Sequence, residues 1–328
     1  MKRKPVIAIA MGDPAGIGPE LIVKVLSDAE VSERCRPFII GDIKAMRANA
    51  VQLDAALRFN AIGELDQARF EPGVIDLLNP PGFELGPLPP PQAHPKLGEA
   101  AARCLALAYE LALQSRVDGV VMAPMNKESF RAAGYDYLDE LQFLGELTGS
   151  DDPFILGAAG PIWALAVTEH IPFKDIVESL SISRVGRRIA HLHGVLRKLG
   201  YAAPRIACAA LNPHAGEGGL FGSEEIDIIA PAILEAQAQD IDVSGPVPAD
   251  IVFKRALDGE FDGVVCMYHD QMNIARKLRD RGDIATLWMG LPVMGATTAH
   301  GTAFDIAGLG IADPGSLRAA LDAVIKLA

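Results

Sequence analysis

Short apolar runs punctuate this chain at 6–10, 38–40, 117–122, 161–167, 206–210, 263–267 and 284–288. Several carry no polar alternation, which is the pattern of strands buried on both faces. Helical patterns lie between them. Val185, Ile189, Leu192, Leu196 and Leu199 repeat at helical spacing, and Gly200 stops the pattern. Residues 96–116, rich in Ala and Leu, read as a second long helix. Strand–helix alternation of this kind predicts an α/β protein with mainly parallel sheets flanked by helices. At 328 residues the chain has the length of about two domains, and half of its residues are hydrophobic, enough for a sizeable core.

Charge narrows the partners. Thirty Lys and Arg stand against 42 Asp and Glu, a net charge of −12. Such a chain is a poor non-specific binder of nucleic acid or anionic membrane, although one local anion site remains compatible with it. No apolar run reaches the roughly 18 residues of a membrane span. The basic start followed by residues 6–11 mimics a signal peptide only faintly, because the apolar run is short and Asp13-Pro14 interrupts it. Cys35, Cys104, Cys208 and Cys266 form no CxxC pair, so reduced thiols and a cytoplasmic setting are expected. Residues 79–95 hold seven of the 23 prolines and read as an extended loop.

Three constellations carry chemistry. Residues 11–20, MGDPAGIGPE, follow a predicted strand and precede a helix. Glycines there permit a tight turn and a close approach of backbone to ligand, while the absence of GxGxxG and of GK[ST] excludes the standard nucleotide loops. Asp13 adds a carboxylate at a sheet edge. The second is histidine: His170, His214 and His269 each follow a predicted strand, so they can converge at one edge. Taken singly, each reads most simply as a loop histidine. Together they suggest an open three-histidine site for a divalent metal. Asp270 and Glu217 are candidate acceptors for the outer ring nitrogens, or plain solvated carboxylates. The third is AHGTAFDIAG at 299–308, a small-residue loop suited to a flat ligand, or a turn feeding a short helix.

GDPAGIGPE at 12–20, APMNKE at 123–128, LNPHAGEGGLFG at 211–222, GPVPAD at 245–250, MYHDQ at 267–271 and HGTAFDIAG at 300–308 occur in that order. Together they resemble the 4-hydroxythreonine-4-phosphate dehydrogenase family over essentially the whole chain. The first turn and the HGTA loop are also similar to those of isocitrate and isopropylmalate dehydrogenases. The resemblance implies their two-domain α/β architecture, with a cofactor-side domain of residues 1–130 plus 272–328 and a metal-binding, dimerisation domain of 131–271. It further implies an NAD- or NADP-dependent oxidoreductase that turns a secondary alcohol of a hydroxy acid into a ketone, in some cases with decarboxylation. His170, His214 and His269 match the family's metal ligands, for zinc or else magnesium, manganese or cobalt. Gly12, Asp13, His300, Gly301, Thr302, Ala303 and Asp305 match its cofactor side. Lys277 matches a substrate-binding lysine and is also a catalytic candidate, as is Asp250 in GPVPAD. A homodimer that shares its active site, and a small anionic hydroxy acid as substrate, are implied as well.

The chain departs from the family at its substrate pocket. Where relatives carry Gly-His-Thr-Glu, residues 139–142 read Asp-Glu-Leu-Gln, so Glu140 and Leu141 replace a histidine and a threonine. Thr286 and Gly295 stand where an asparagine and an arginine are expected, and Ala299 where an aspartate is usual. Phosphate is held chiefly by cations and hydrogen-bond donors, and a carboxylate repels it. These positions therefore leave open an unphosphorylated substrate, such as a cis-dihydrodiol carboxylate or a sugar acid, and a non-catalytic homologue.

Overall fold

The computed structural model describes residues 3–82, 85–279 and 282–328. Among them the strands are β1 (Val6–Ala10), β2 (Arg36–Ile40), β3 (Arg58–Ile62), β4 (Val74–Leu78), β5 (Gly119–Met122), β6 (Phe154–Ala159), β7 (Ile162–Thr168), β8 (Ile206–Ala209), β9 (Val243–Val247), β10 (Gly263–Tyr268), β11 (Ile284–Met289) and β12 (Gly295–Thr298). The helices are α1 (Gly18–Leu26), α2 (Ala29–Arg34), α3 (Ile43–Gln52), α4 (Pro95–Leu113), α5 (Lys127–Ala132), α6 (Glu140–Thr148), α7 (Ile182–Lys198), α8 (Ala230–Gln237), α9 (Ala249–Leu257), α10 (His269–Leu278) and α11 (Gly315–Leu327).

The chain divides into two compact units, Met1–Phe154 with Ala285–Ala328, and Ile155–Ile284. These bounds differ from the domain bounds expected from sequence, because α5 and α6 pack on α4 in the first unit and α10 packs on β7 and β10 in the second.

In the first unit the strand order is β3-β4-β2-β1-β5-β12-β11. Every pairing is parallel except β11 with β12. β1 sits at its centre, flanked by β2 and β5, and all five of its residues are buried. Parallel order sends the chain out of β1, β5 and β12 at one edge, where sites of α/β proteins form. Helix α4 begins at Pro95, whose missing N–H costs nothing in a first turn. His94 caps it by accepting from the Lys96 N–H at its Nδ1.

In the second unit the order is β6-β7-β10-β8-β9, parallel except for β6 against β7. Tyr268 pairs with Thr168, so β7 and β10 end side by side. The stripe of Val185, Ile189, Leu192 and Leu196 on α7 is buried, as its spacing predicts. A second cluster of small residues, including Ala164, Ala166, Ala207, Ala209, Val252, Cys266 and Met272, fills the unit on α9 and α10. All four cysteines are free buried thiols, and burial pushes Cys35, Cys104 and Cys208 up to about 12.

Candidate metal and cofactor sites

In the second unit the chain leaves β7 through Thr168, Glu169 and His170, and leaves β10 directly into His269 at the start of α10. The Thr168 hydroxyl donates to the Met267 carbonyl at 2.9 Å and ties the two strand ends together. The amide of Gln271 fastens β10 twice more. Its Oε1 accepts from the Met267 N–H and its Nε2 donates to the Ala210 carbonyl, both at 2.8 Å. As a result the rings of His170 and His269 stand 5.4 Å apart between centroids.

Glu169 joins them: its carboxylate and the two imidazoles present ligand atoms that all lie within 4.8 Å of one another. A cavity of about 250 Å³ opens there, lined by Thr168, Glu169, His170, Ile171, Phe173, Ile176, Tyr268, His269 and Asp270. Nδ1 of His269 is 2.6 Å from Oδ1 of Asp270. With its proton shared toward that carboxylate, the ring offers Nε2 as a lone-pair donor. Two imidazoles and a carboxylate form a donor set that suits a divalent transition metal.

The third expected ligand stands apart. His214 is exposed and lies outside the group formed by Glu169, His170 and His269. It sits on an unusual loop: His214, Ala215, Gly216, Glu217 and Gly218 all have positive φ. Non-glycine residues there cost on the order of 1–2 kcal/mol each, so the surroundings must fix the turn. Buried Glu225 does so by accepting from the Leu211 and Asn212 N–H groups at 2.8 and 2.7 Å and from the Asn212 amide at 2.9 Å. Glu217 is exposed on this loop. Asp250 is exposed in the first turn of α9, and Lys277 is exposed on α10. Eight residues separate Lys277 from His269, about 12 Å along a helix.

The residues expected on the cofactor side all lie within the first unit. The turn after β1 reaches across to the loop after β12, where the Ile17 N–H donates to the Thr302 carbonyl at 3.0 Å. A Cβ on Gly16 would stand 2.9 Å from the Thr302 Cβ, so the two loops meet only because residue 16 is glycine. Gly12 has φ +71°, and a Cβ there would lie 2.4 Å from the Ala123 carbonyl oxygen. Asp13 is fully buried, and its carboxylate accepts from the Ala15 N–H at 3.0 Å. Burial raises its pKa to about 6, while the Ala15 and Gly16 N–H groups and the Ser129 hydroxyl oppose that rise. Buried Glu20 accepts from Lys24 at 2.7 Å and from the Ala312 N–H at 2.8 Å, which anchors the chain beyond the 299–308 loop. His300, Gly301 and Asp305 are exposed, Thr302 is buried, and Ala303 has a positive φ.

The pocket departures lie in the same unit. Glu140 opens α6 behind its cap Asp139, a favourable place for a carboxylate in the helix field. Leu141 is buried in the core. Thr286 is half-buried on β11 opposite Thr297. Gly295 is buried, with the Tyr109 Oη only 2.2 Å from where its Cβ would be and Trp288 at 2.7 Å. A long side chain at 295 would have to displace both rings. Sequence reasoning missed Glu169, Gln271, Glu225 and the Glu20–Lys24 pair. Glu169 alone carried a signal, as an acid beside a strand-end histidine.

A family model described as the pyridoxal phosphate biosynthetic protein PdxA matches residues 33–324. A D-threonate 4-phosphate dehydrogenase of Cupriavidus necator is 40% identical over 329 residues, covering 99% of this chain and 97% of that relative. The solved 4-hydroxythreonine-4-phosphate dehydrogenase of Burkholderia phymatum superimposes with a TM-score of 0.83 at 39% identity and 99% coverage of both chains. A terephthalate 1,2-cis-dihydrodiol dehydrogenase of Burkholderia xenovorans does so at 0.68 with 29% identity, covering 99% of this chain and 98% of that one.

Proposed function

The chain belongs to the PdxA family and is an oxidoreductase acting on CH–OH groups, and from that premise we propose an NAD-linked, divalent-metal-dependent dehydrogenase of phosphorylated hydroxy acids of the D-threonate 4-phosphate type. The observation that carries the metal is the convergence of His170 and His269 at the paired ends of β7 and β10. The 40% identity over the full length to a D-threonate 4-phosphate dehydrogenase supports the substrate class.

His170 and His269 would hold the ion from one chain. When bound, it would supply positive charge that lowers the pKa of a substrate hydroxyl. His214, exposed on a fixed left-handed loop, would serve as the third ligand by reaching the site of a second copy in a homodimer. Exposed Phe173, Val177, Leu220, Phe221 and Ile226 on the same unit offer apolar surface for that contact. The Gly12–Asp13 turn and the 300–305 loop, joined through Ile17 and Thr302, would seat the dinucleotide, whose nicotinamide accepts the hydride. NADP remains the alternative cofactor.

The bound dinucleotide would supply the hydride acceptor for the carbinol carbon, so that the alcohol would leave as a ketone and its hydroxyl proton would pass to a residue of this chain. Where a carboxylate lies β to that ketone, loss of carbon dioxide can follow. Lys277 would hold an anionic group of the substrate or pass the proton. Asp270 would keep the His269 ring in one tautomer throughout. Asp250, in the first turn of α9, stays a candidate for proton handling. A cytoplasmic metabolic enzyme is the setting this reading implies, and among the described residues no helix is long and apolar enough to cross a membrane.

A second reading, oxidation of an unphosphorylated diol carboxylate, is favoured by Glu140, which brings a carboxylate where the family resemblance implies a histidine. A panel of phosphorylated and unphosphorylated hydroxy acids, assayed by NADH formation, separates the two. Preference for the phosphorylated acids supports the main reading. Turnover confined to unphosphorylated diols overturns it.

A further inference from the structure

We propose that Glu169 is itself a ligand of the divalent ion, so that one chain supplies a His–His–carboxylate set, an inference that rests on the metal reading above. On a regular strand, Glu169 and His170 would point to opposite faces. They do not continue the strand: β7 ends at Thr168, and His170 takes a left-handed φ of +39°. A left-handed histidine persists where the surroundings over-determine it, and such residues cluster at functional sites. Here the turn lets both side chains reach one place, with a carboxylate oxygen of Glu169 within 4.8 Å of ring nitrogens on both His170 and His269.

Burial points the same way. Both carboxylate oxygens of Glu169 are shielded from solvent, whereas His170 is exposed and His269 is half-exposed. A carboxylate out of water is stabilised by positive charge, which a divalent ion supplies at the shortest range. A buried cation already stands in the same unit. Arg276 is buried, donates to Asn273 and to the Ala158 carbonyl, and packs where Gly157 has no side chain. Glu169 and Arg276 act with opposite sign on the buried thiol of Cys266 between them in charge effect, the one raising and the other lowering its pKa.

The consequence is selectivity. Three neutral imidazoles leave an ion with its full 2+ charge, whereas one carboxylate reduces this to 1+ and adds a hard oxygen donor. Oxygen donors favour manganese and magnesium more than an all-nitrogen set does. The structure therefore ties metal choice to residue 169.

The test uses metal-stripped full-length protein, with manganese binding followed by the paramagnetic signal of the free ion and cobalt binding by its visible spectrum. Glu169→Gln is expected to weaken manganese binding at least tenfold, to alter the cobalt bands and to weaken zinc binding less. Glu169→Asp, which keeps the charge on a shorter arm, is expected to fall between the variant and the wild type, and it carries the test if Glu169→Gln does not fold. Manganese affinity and cobalt bands equal to wild type in the folded variants overturn the proposal. His269→Ala separates this from the metal reading itself. If the wild type binds no divalent ion, or binds it as His269→Ala does, the metal reading fails as well.

Discussion

Nδ1 of His269 lies 2.6 Å from Oδ1 of Asp270, the next residue in the chain, at the start of α10. Adjacent side chains meet this closely because the chain passes there from strand to helix. The contact selects the ring tautomer that aims Nε2 away from Asp270. Replacing Asp270 by Asn keeps the shape and removes the charge that makes the imidazole a stronger donor. Metal affinity should fall about 10- to 100-fold, measured by calorimetric titration of metal-free protein. An unchanged affinity would detach Asp270 from the site.

Asp13 gives the chain a pH signature. A carboxyl whose folded pKa is raised from 3.8 to about 6 contributes its stability fully below pH 3.8, and loses it as pH rises through about 6. Above that range its ionised form costs about 3 kcal/mol. Asp13→Asn should remove this slope, so the variant gains stability over wild type between pH 4 and pH 7, by up to that amount. Denaturant titrations at a series of pH values measure the difference. A constant difference across the series would show that Asp13 titrates normally.

Gly157 and Gly301 form a contrasting pair. A Cβ on Gly157 would lie 2.4 Å from the guanidinium of buried Arg276, whereas one on Gly301 meets nothing within 4 Å. Gly157→Ala should cost about 1–3 kcal/mol by overpacking, and Gly301→Ala should cost less than 1 kcal/mol. Urea unfolding of both variants decides the point. Equal losses would contradict the packing of Arg276 against β6.

The join between Gly16 and Thr302 makes a prediction for binding. Gly16→Ala puts a Cβ 2.9 Å from the Thr302 Cβ and forces one of the two loops to shift. If these loops seat the dinucleotide, KM for NAD should rise severalfold while kcat changes less. A variant with wild-type KM would place the cofactor elsewhere.

Much of this was legible in the sequence, for physical reasons. The apolar runs became β1, β2, β5, β7, β8, β10 and β11, because a strand buried on both faces has little room for polar residues; Asp118 falls just before β5, and Thr286 is only half-buried on β11. β9 is not legible because its Gly245-Pro246 pair suits only an edge, and β12 because Gly-Ala-Thr-Thr carries no large apolar residue. β3 is an edge strand with Arg58 and Asn60, and β4 hides Asp76 in its run. At the site, His170 and His269 were readable as strand-end residues. The role of Glu169 was not, because it depends on a left-handed turn at His170 that a β-shaped pattern does not announce. Nor was the packing role of Gly295 visible, since it depends on Tyr109 from a distant helix.

The central claim is a dehydrogenase whose metal is held by His170 and His269. The most direct measurement is NADH formation from D-threonate 4-phosphate by protein stripped of metal, then resupplied with zinc, manganese or cobalt, in wild type and in His170→Ala. Stripped protein should show no turnover, resupply should restore it in wild type, and His170→Ala should not recover. Full turnover by the stripped protein, or by His170→Ala, would contradict it.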